Sequence, residues 1–377
     1  MYLTKDEEKL LESDDPTLAK CMEILVALGE IFEAERLIPI SSAHISGISY
    51  ANIGEEGLEW IKGLKGKVRV KTTLNPAGMD LERWKDMGIR EEFFRKQMEV
   101  ISALKSLGVD PVLTCTPYYI QKPSFGEHLA WAESSAVVYA NSILGARTNR
   151  ESGISALASA IIGKTPYYGL HVDENRSPTV LVRVKGKVNT SLLGYVLGKE
   201  LEGIPMFDFD VTPSEDELKH LGASLASTGG VGMFHVVGVT PEWNRYEVPS
   251  ERLVFEPSDL KFDCEPDLVA IGCPHLSSRE LRVIAEFVDR FDRVKIETWL
   301  FTSRKVYEEC VDIIKKIECK GIKVFRDTCM VVSPATERFD CVLTDSGKAL
   351  TYLPKLRKVC VGFADTFTCL RRAFGEA

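Results

Sequence analysis

Short apolar runs alternate with amphipathic helical stretches along most of this chain, and that alternation points to parallel sheets covered by helices. The pattern is cleanest near the C-terminus. Residues 268–272 read as a strand, Ser277 with Glu280 opens a helix running to Val288, and residues 294–300 read as a second strand. A helix with Val306, Cys310, Ile313 and Ile317 on one face then ends near Gly321, ahead of a third strand at 322–325. Towards the N-terminus, Thr4 with Glu7 forms a capping box, and Asp15-Pro16 sets a cap followed by proline at the first helical position. Leu18, Met22, Leu25 and Phe32 trace the apolar face of that helix. Apolar runs follow at 36–40, 68–74 and 112–114, and an amphipathic helix with Phe94, Met98, Ile101 and Leu104 lies between the last two, closed by Gly108. In the middle, residues 179–187 read as a strand, 212–215 open a helix, and 233–239 follow a glycine-rich turn. The changes of rhythm divide the chain into an α/β domain over 1–190, a middle segment over 191–260 and a second α/β domain over 261–377.

The formal charge of −8 is spread without a basic stripe, which argues against nucleic acid or an anionic membrane as partner. No stretch approaches the ~20 apolar residues of a membrane span, and the acidic start Met1 to Glu8 is unlike a signal peptide. A cytoplasmic location is expected. The ten cysteines are then expected as thiols rather than a disulfide framework, and none falls in a Cys-x-x-Cys pair.

In open parallel sheets the ligand crevice lies beyond the carboxyl ends of the strands. Reading those ends gives Asn75-Pro76-Ala77-Gly78, Cys115-Thr116-Pro117-Tyr118, Cys273-Pro274-His275 and Arg326-Asp327-Thr328-Cys329. Three cysteines thus fall at three strand ends. Free cysteine often packs as a small hydrophobe, the role expected of Cys21 and Cys310 on apolar helix faces, and one that stays open for Cys115, Cys273 and Cys329 taken singly. Cys264, Cys319, Cys341, Cys360 and Cys369 have no special context. Together, three thiolates would hold a cubane cluster with one iron left open, since such clusters normally take four cysteines. An open iron is a Lewis acid that can turn a substrate hydroxyl into a leaving water. A three-cysteine zinc site fits the spacing equally.

The run Gly145-Ala146-Arg147-Thr148-Asn149-Arg150 places two arginines before a helix capped by Ser152, a pattern suited to an anion or simply to a solvated turn. Ser227 to Gly232 has neither a P-loop lysine nor a G-x-G-x-x-G fingerprint and reads as a structural turn. His44 and His275 are expected as hydrogen-bonded structural histidines rather than acids or bases.

The segments 44–50 (HISGISY), 73–78 (TLNPAG), 114–118 (TCTPY), 132–136 (AESSA), 145–150, 234–242, 271–275 (IGCPH) and 327–329 (DTC) together resemble the aconitase X family, nearly end to end. The resemblance implies an aconitase-like α/β large subunit lacking the swivelling domain, which a separate small subunit supplies in a heterodimer. It implies a [4Fe–4S] cluster on Cys115, Cys273 and Cys329, and substrate contacts from Gly47, Ile48, Ser49, Asn75, Ser134, Ser135 and Lys348. Arg147 is added on charge grounds, for an anionic group. The implied reaction is a hydro-lyase step of an archaeal-type mevalonate pathway, from (R)-5-phosphomevalonate to trans-anhydromevalonate 5-phosphate, with the base a serine of the small subunit. Within the same family, cis-3-hydroxy-L-proline is the alternative substrate; outside it, a non-catalytic, metal-free assembly subunit is the competing reading. The chain departs from the family pattern at Asp345, where asparagine is expected; a carboxylate there should pair with Lys348 or repel substrate.

Overall fold

The protein is described here from a computed structural model covering residues 1–256, 262 and 264–376. Local signals set the helix starts. Thr4 and Glu7 satisfy each other's backbone N–H groups ahead of α1 (Lys5–Leu11), and Asp15 accepts from Thr17 and Leu18 at the start of α2 (Pro16–Ile31). These caps occupy donors that a helix cannot pair internally.

The first sheet has three parallel strands. β1 (Leu37–Pro39) lies apart from it, β2 (Ser42–Ile45) is central, α3 (Tyr50–Gly63) leads to β3 (Lys71–Leu74) on one side, and α4 (Glu91–Ser106) precedes β4 (Leu129–Trp131) on the other. Helices α5 (Ser134–Ser142) and α6 (Gly153–Ile162) follow, and β5 (Lys164–Pro166) pairs antiparallel with β1. The central strand is buried at every position, so it carries no alternation from which to read a strand. Residues 112–114 are not a strand: Leu113 sits at φ +53, which turns the backbone out of the ladder after a single bridge from Thr73 to Asp110.

The second sheet is built from β6 (Val180–Val184), α7 (Thr190–Leu197), β7 (Pro205–Phe209), α8 (Glu215–Thr228), β8 (His235–Val236) and β9 (Arg252–Phe255), all strands parallel in the order β8-β7-β6-β9. Because β6, among the described residues, pairs only with β7 and β9, the expected boundary at 190 cuts through a folded unit whose first strand starts at Val180. The expected boundary at 260 lies outside the described residues. The glycine-rich turn ends α8, where a Cβ on Gly229 would sit 1.8 Å from the Gly198 carbonyl oxygen, so close helix packing requires glycine there.

The third sheet is the five-stranded array β12-β11-β10-β13-β14, all parallel. Its elements are β10 (Leu268–Leu276), α9 (Ser278–Val288), β11 (Glu297–Thr302), α10 (Arg304–Glu309), α11 (Val311–Cys319), β12 (Lys323–Arg326), β13 (Cys341–Thr344), α12 (Gly347–Leu356), β14 (Cys360–Phe363) and α13 (Thr366–Phe374). The helix expected across Val306 to Ile317 is two helices meeting at Cys310, which together with Cys21 packs in the apolar core as expected. No helix among the described residues is long and apolar enough to cross a membrane.

A candidate active site between two parallel sheets

Both the first and the third sheets have a strand flanked by connections leading in opposite directions. β2 stands between β3 and β4, and β10 between β11 and β13. Such switch points open a crevice at the strand carboxyl ends, and here two of them face one cavity. From the first sheet, Ser46 and Gly47 follow β2, Asn75 and Pro76 follow β3, and Ala132, Glu133 and Ser134 follow β4. From the third, Cys273 lies on β10, Cys329 beyond β12 and Lys348 beyond β13. All line a cavity of about 230 Å³, together with Cys115, Arg150 and Tyr352.

The three sulfurs therefore meet, as the spacing along the chain could only suggest. Each is buried. Burial pushes the thiols of Cys115 and Cys329 up and that of Cys273 up to about 12, disfavouring the thiolate form of each. His275 ties their loops together. Its ring accepts at Nδ1 from the Thr114 hydroxyl at 3.0 Å and donates through Nε2 to the Thr328 carbonyl at 2.8 Å; its backbone N–H points at the Cys115 sulfur at 3.2 Å. Its own carbonyl accepts from Lys219 of α8 at 3.2 Å. Burial lowers the His275 pKa to about 4, leaving a neutral crosslink.

A polar chain also joins residues that follow the first sheet's strands to Lys348 beyond β13 of the third. His44 contacts Thr73 at 2.7 Å and Asn75 at 3.3 Å, and Asn75 donates through Nδ2 to Glu133 at 2.7 Å. Glu133 also accepts from the Ser135 hydroxyl at 2.9 Å and forms a buried ion pair with Lys348. Burial alone would raise the Glu133 carboxyl, but the Lys348 ammonium and the hydrogen bonds from Lys348, Ser135 and Asn75 hold it down to about 2, from an ordinary 4.5. A depressed carboxylate stabilises the fold fully above its unfolded value and loses that contribution as pH falls through the folded one. Thermal unfolding should therefore show stability declining from about pH 4.5 towards 2, with that part of the profile flattened in Glu133→Gln.

The expected substrate residues separate into groups. Gly47, Asn75, Ser134 and Lys348 line the cavity. Ile48 faces an adjoining apolar cavity with Trp60 and Leu104. Ser49 donates to the Val332 carbonyl at 3.0 Å, and Ser135 lies behind Lys348 at 3.4 Å. Arg147 is elsewhere: it is ion-paired with Asp173, lies 3.9 Å from Glu242, and donates to the His171 carbonyl at 3.3 Å. Its neighbour Arg150 takes the place expected of it. Residues 147–151 run alongside β4, with Leu129 donating to the Arg147 carbonyl and Glu151 to the Trp131 carbonyl. Three residues of extended chain carry Arg150 roughly 10 Å further towards the carboxyl edge. Asp345 does not meet Lys348; its Oδ2 accepts from Thr366 at 2.6 Å and it lines a separate cavity of about 400 Å³. Glu133 and Arg150 are the two charged cavity residues not expected as site residues from the sequence, although both lie inside the 132–136 and 145–150 segments.

A single zinc, with sulfur at about 2.3 Å, would hold three thiolates about 3.8 Å apart. Among the described residues, the one such ligand trio lying within 4.8 Å of one another is Cys264, Cys341 and Cys360, none of which lines the cavity. At least one pair of the cavity sulfurs therefore lies more than 4.8 Å apart, wider than the spacing a single zinc would impose.

Comparison with known proteins agrees with this geometry. Residues 1–174 match the aconitase X first domain, 178–265 the second and 266–375 the third. The chain belongs to the aconitase X family. Its aconitase X relatives include the phosphomevalonate dehydratase large subunit of Methanosarcina mazei, 48% identical over 100% of this chain and 98% of that one. The cis-3-hydroxy-L-proline dehydratase of Pseudomonas aeruginosa is 32% identical over 98% of this chain but 69% of its own length. The crystal structure of Thermococcus kodakaraensis aconitase X in its holo-form superposes with a TM-score of 0.92 at 42% identity, covering 99% of this chain and 100% of that one.

Proposed function

We propose that this aconitase X chain is the large subunit of a phosphomevalonate dehydratase, a hydro-lyase that removes water from (R)-5-phosphomevalonate. The observation that carries the reading is the single cavity in which three buried cysteines face the Glu133–Lys348 pair, in a chain matching relatives of that name along their whole length.

Cys115, Cys273 and Cys329 would hold a [4Fe–4S] cluster, which supplies a Lewis acid for the departing hydroxyl when bound. The chain's own residues do the rest. Helices α5 and α12 begin at the cavity, at Ser134 and Gly347, and turn their N-terminal ends towards the space an anion would fill. Lys348 already has a carboxylate partner. Arg150 is exposed, lines the cavity, and has no ion-pair or hydrogen-bond partner among the described residues, which supports it as the cation for the substrate's phosphate. Removing a proton next to a carboxylate builds negative charge, and preorganised donors of this kind lower its cost. A base is harder to find in this chain. No histidine lines the cavity among the described residues, and Glu133 is held ionised with both oxygens engaged. That supports a base on a partner chain. The names of the relatives matched over 98% of their length, large subunits, point the same way.

Anaerobic assay tests the proposal. The chain alone should turn over poorly on phosphomevalonate, and co-expression with a small swivelling-domain subunit should restore dehydration. Full activity of the single chain, or activity with cis-3-hydroxy-L-proline and none with phosphomevalonate, overturns it. Arg150→Ala should raise KM for phosphomevalonate by about 10- to 100-fold, the worth of a charge-assisted contact, with kcat largely kept. Arg147→Ala should leave KM unchanged and lower stability instead, because it breaks the contact with Asp173.

A further inference from the structure

Outside the cavity, three more thiols converge at the edge of the third sheet. Cys341 and Cys360 open β13 and β14 and are direct partners in the parallel register, which turns their side chains to the same face. Cys264 arrives on the segment leading into β10, which bridges the edge strand antiparallel from Phe262 to Phe363. The sulfurs of all three lie within 4.8 Å of one another. The local backbone is shaped for this approach. A Cβ on Gly362 would stand 3.0 Å from the Cys264 sulfur and 3.0 Å from the Phe262 carbonyl oxygen, so a larger residue would push the incoming segment away. Asp267 fixes the start of β13 by accepting from the Asp340 and Cys341 backbone N–H groups, both at 2.9 Å.

We propose that Cys264, Cys341 and Cys360 form a zinc site with three protein ligands, separate from the catalytic cavity. The structure draws Cys264 and Cys341 into disulfide contact, with Cα atoms 6.4 Å apart, and leaves Cys360 as a thiol. A disulfide would use two of the three sulfurs and leave the third beside it, where thiol–disulfide exchange scrambles the pairing. It would also need a two-electron oxidant, whereas the other seven cysteines are free. Zinc uses all three sulfurs and needs no oxidant. Binding replaces three thiol protons, released to solvent, and leaves a site of net charge −1 with its fourth position open to water beside the exposed Cys360. The metal would clamp the segment leading into β10 onto the edge strand β14, reinforcing the single backbone bridge from Phe262 to Phe363 there.

The test is metal analysis of the full chain, purified anaerobically, given zinc chloride and desalted. About one zinc per chain is expected, falling below about a tenth in Cys360→Ser and in Cys264→Ser, as loss of one ligand of three weakens such a site severely. Cys115→Ser should keep its zinc. Cys360 is exposed, so Cys360→Ser should fold, which circular dichroism checks. Zinc no higher in the wild type than in Cys360→Ser, zinc lost equally in Cys115→Ser, or a Cys264–Cys341 crosslinked peptide from protein alkylated anaerobically without reductant overturns the proposal. None of these readouts depends on iron or on dehydration.

Discussion

Replacing Cys115, Cys273 or Cys329 with serine is expected to lower the dehydration rate of the assembled enzyme by at least about 10³-fold, because Lewis-acid activation of a hydroxyl is worth several kcal/mol of barrier. Iron and acid-labile sulfide should fall with activity in each variant. The control is Cys21→Ser or Cys310→Ser. Those thiols are equally buried but sit in apolar core away from the cavity, so they should keep iron and lose about 1–3 kcal/mol of stability, the cost of burying a hydroxyl without partners. If the cavity variants retain full iron and activity, the cluster assignment fails. The convergence of three buried sulfurs would then be packing, as the competing assembly-subunit reading holds.

Glu133→Ala is expected to have the second largest effect, on both stability and catalysis. Lys348 would remain as a buried ammonium without its counter-ion, at a cost of about 3–5 kcal/mol, and Asn75 and Ser135 would lose their shared acceptor. A double-mutant cycle separates the two consequences. Glu133→Gln with Lys348→Met removes both charges, and neutralising a buried pair together is often nearly neutral for stability. The double variant should therefore recover most of the lost denaturation midpoint while remaining far below wild type in dehydration rate. Recovery of both would mean that the pair is structural only. The ion pair thus joins the fold to the site: it fastens the start of α5 to the start of α12, and it holds the two cavity walls at a fixed separation.

Much of the fold was legible along the chain because capping and apolar periodicity are local. Residues 212–215 open α8 as expected, and the Ser277–Glu280 box starts α9. Fully buried strands were harder. β2 and β13 are buried at every position and too short to declare themselves by length, so two of the strands that deliver site residues carried no periodic signal. The break at Leu113 is a backbone conformation that no side-chain pattern announces.

The sequence by itself determined which chemistry was available: three cysteines after apolar runs, an arginine-bearing turn and a set of family motifs, all of which depend on residue identity and nearest neighbours. Only the tertiary structure decided which of those groups share a cavity. It turned Arg147 towards Asp173 and raised Arg150 to the rim, paired Lys348 with Glu133 instead of Asp345, and gathered a second cysteine trio from residues that had no context of their own. The reason is physical. Direction and register are set by long-range strand pairing and by the demand that buried charges find partners, and neither is written in any short stretch of chain.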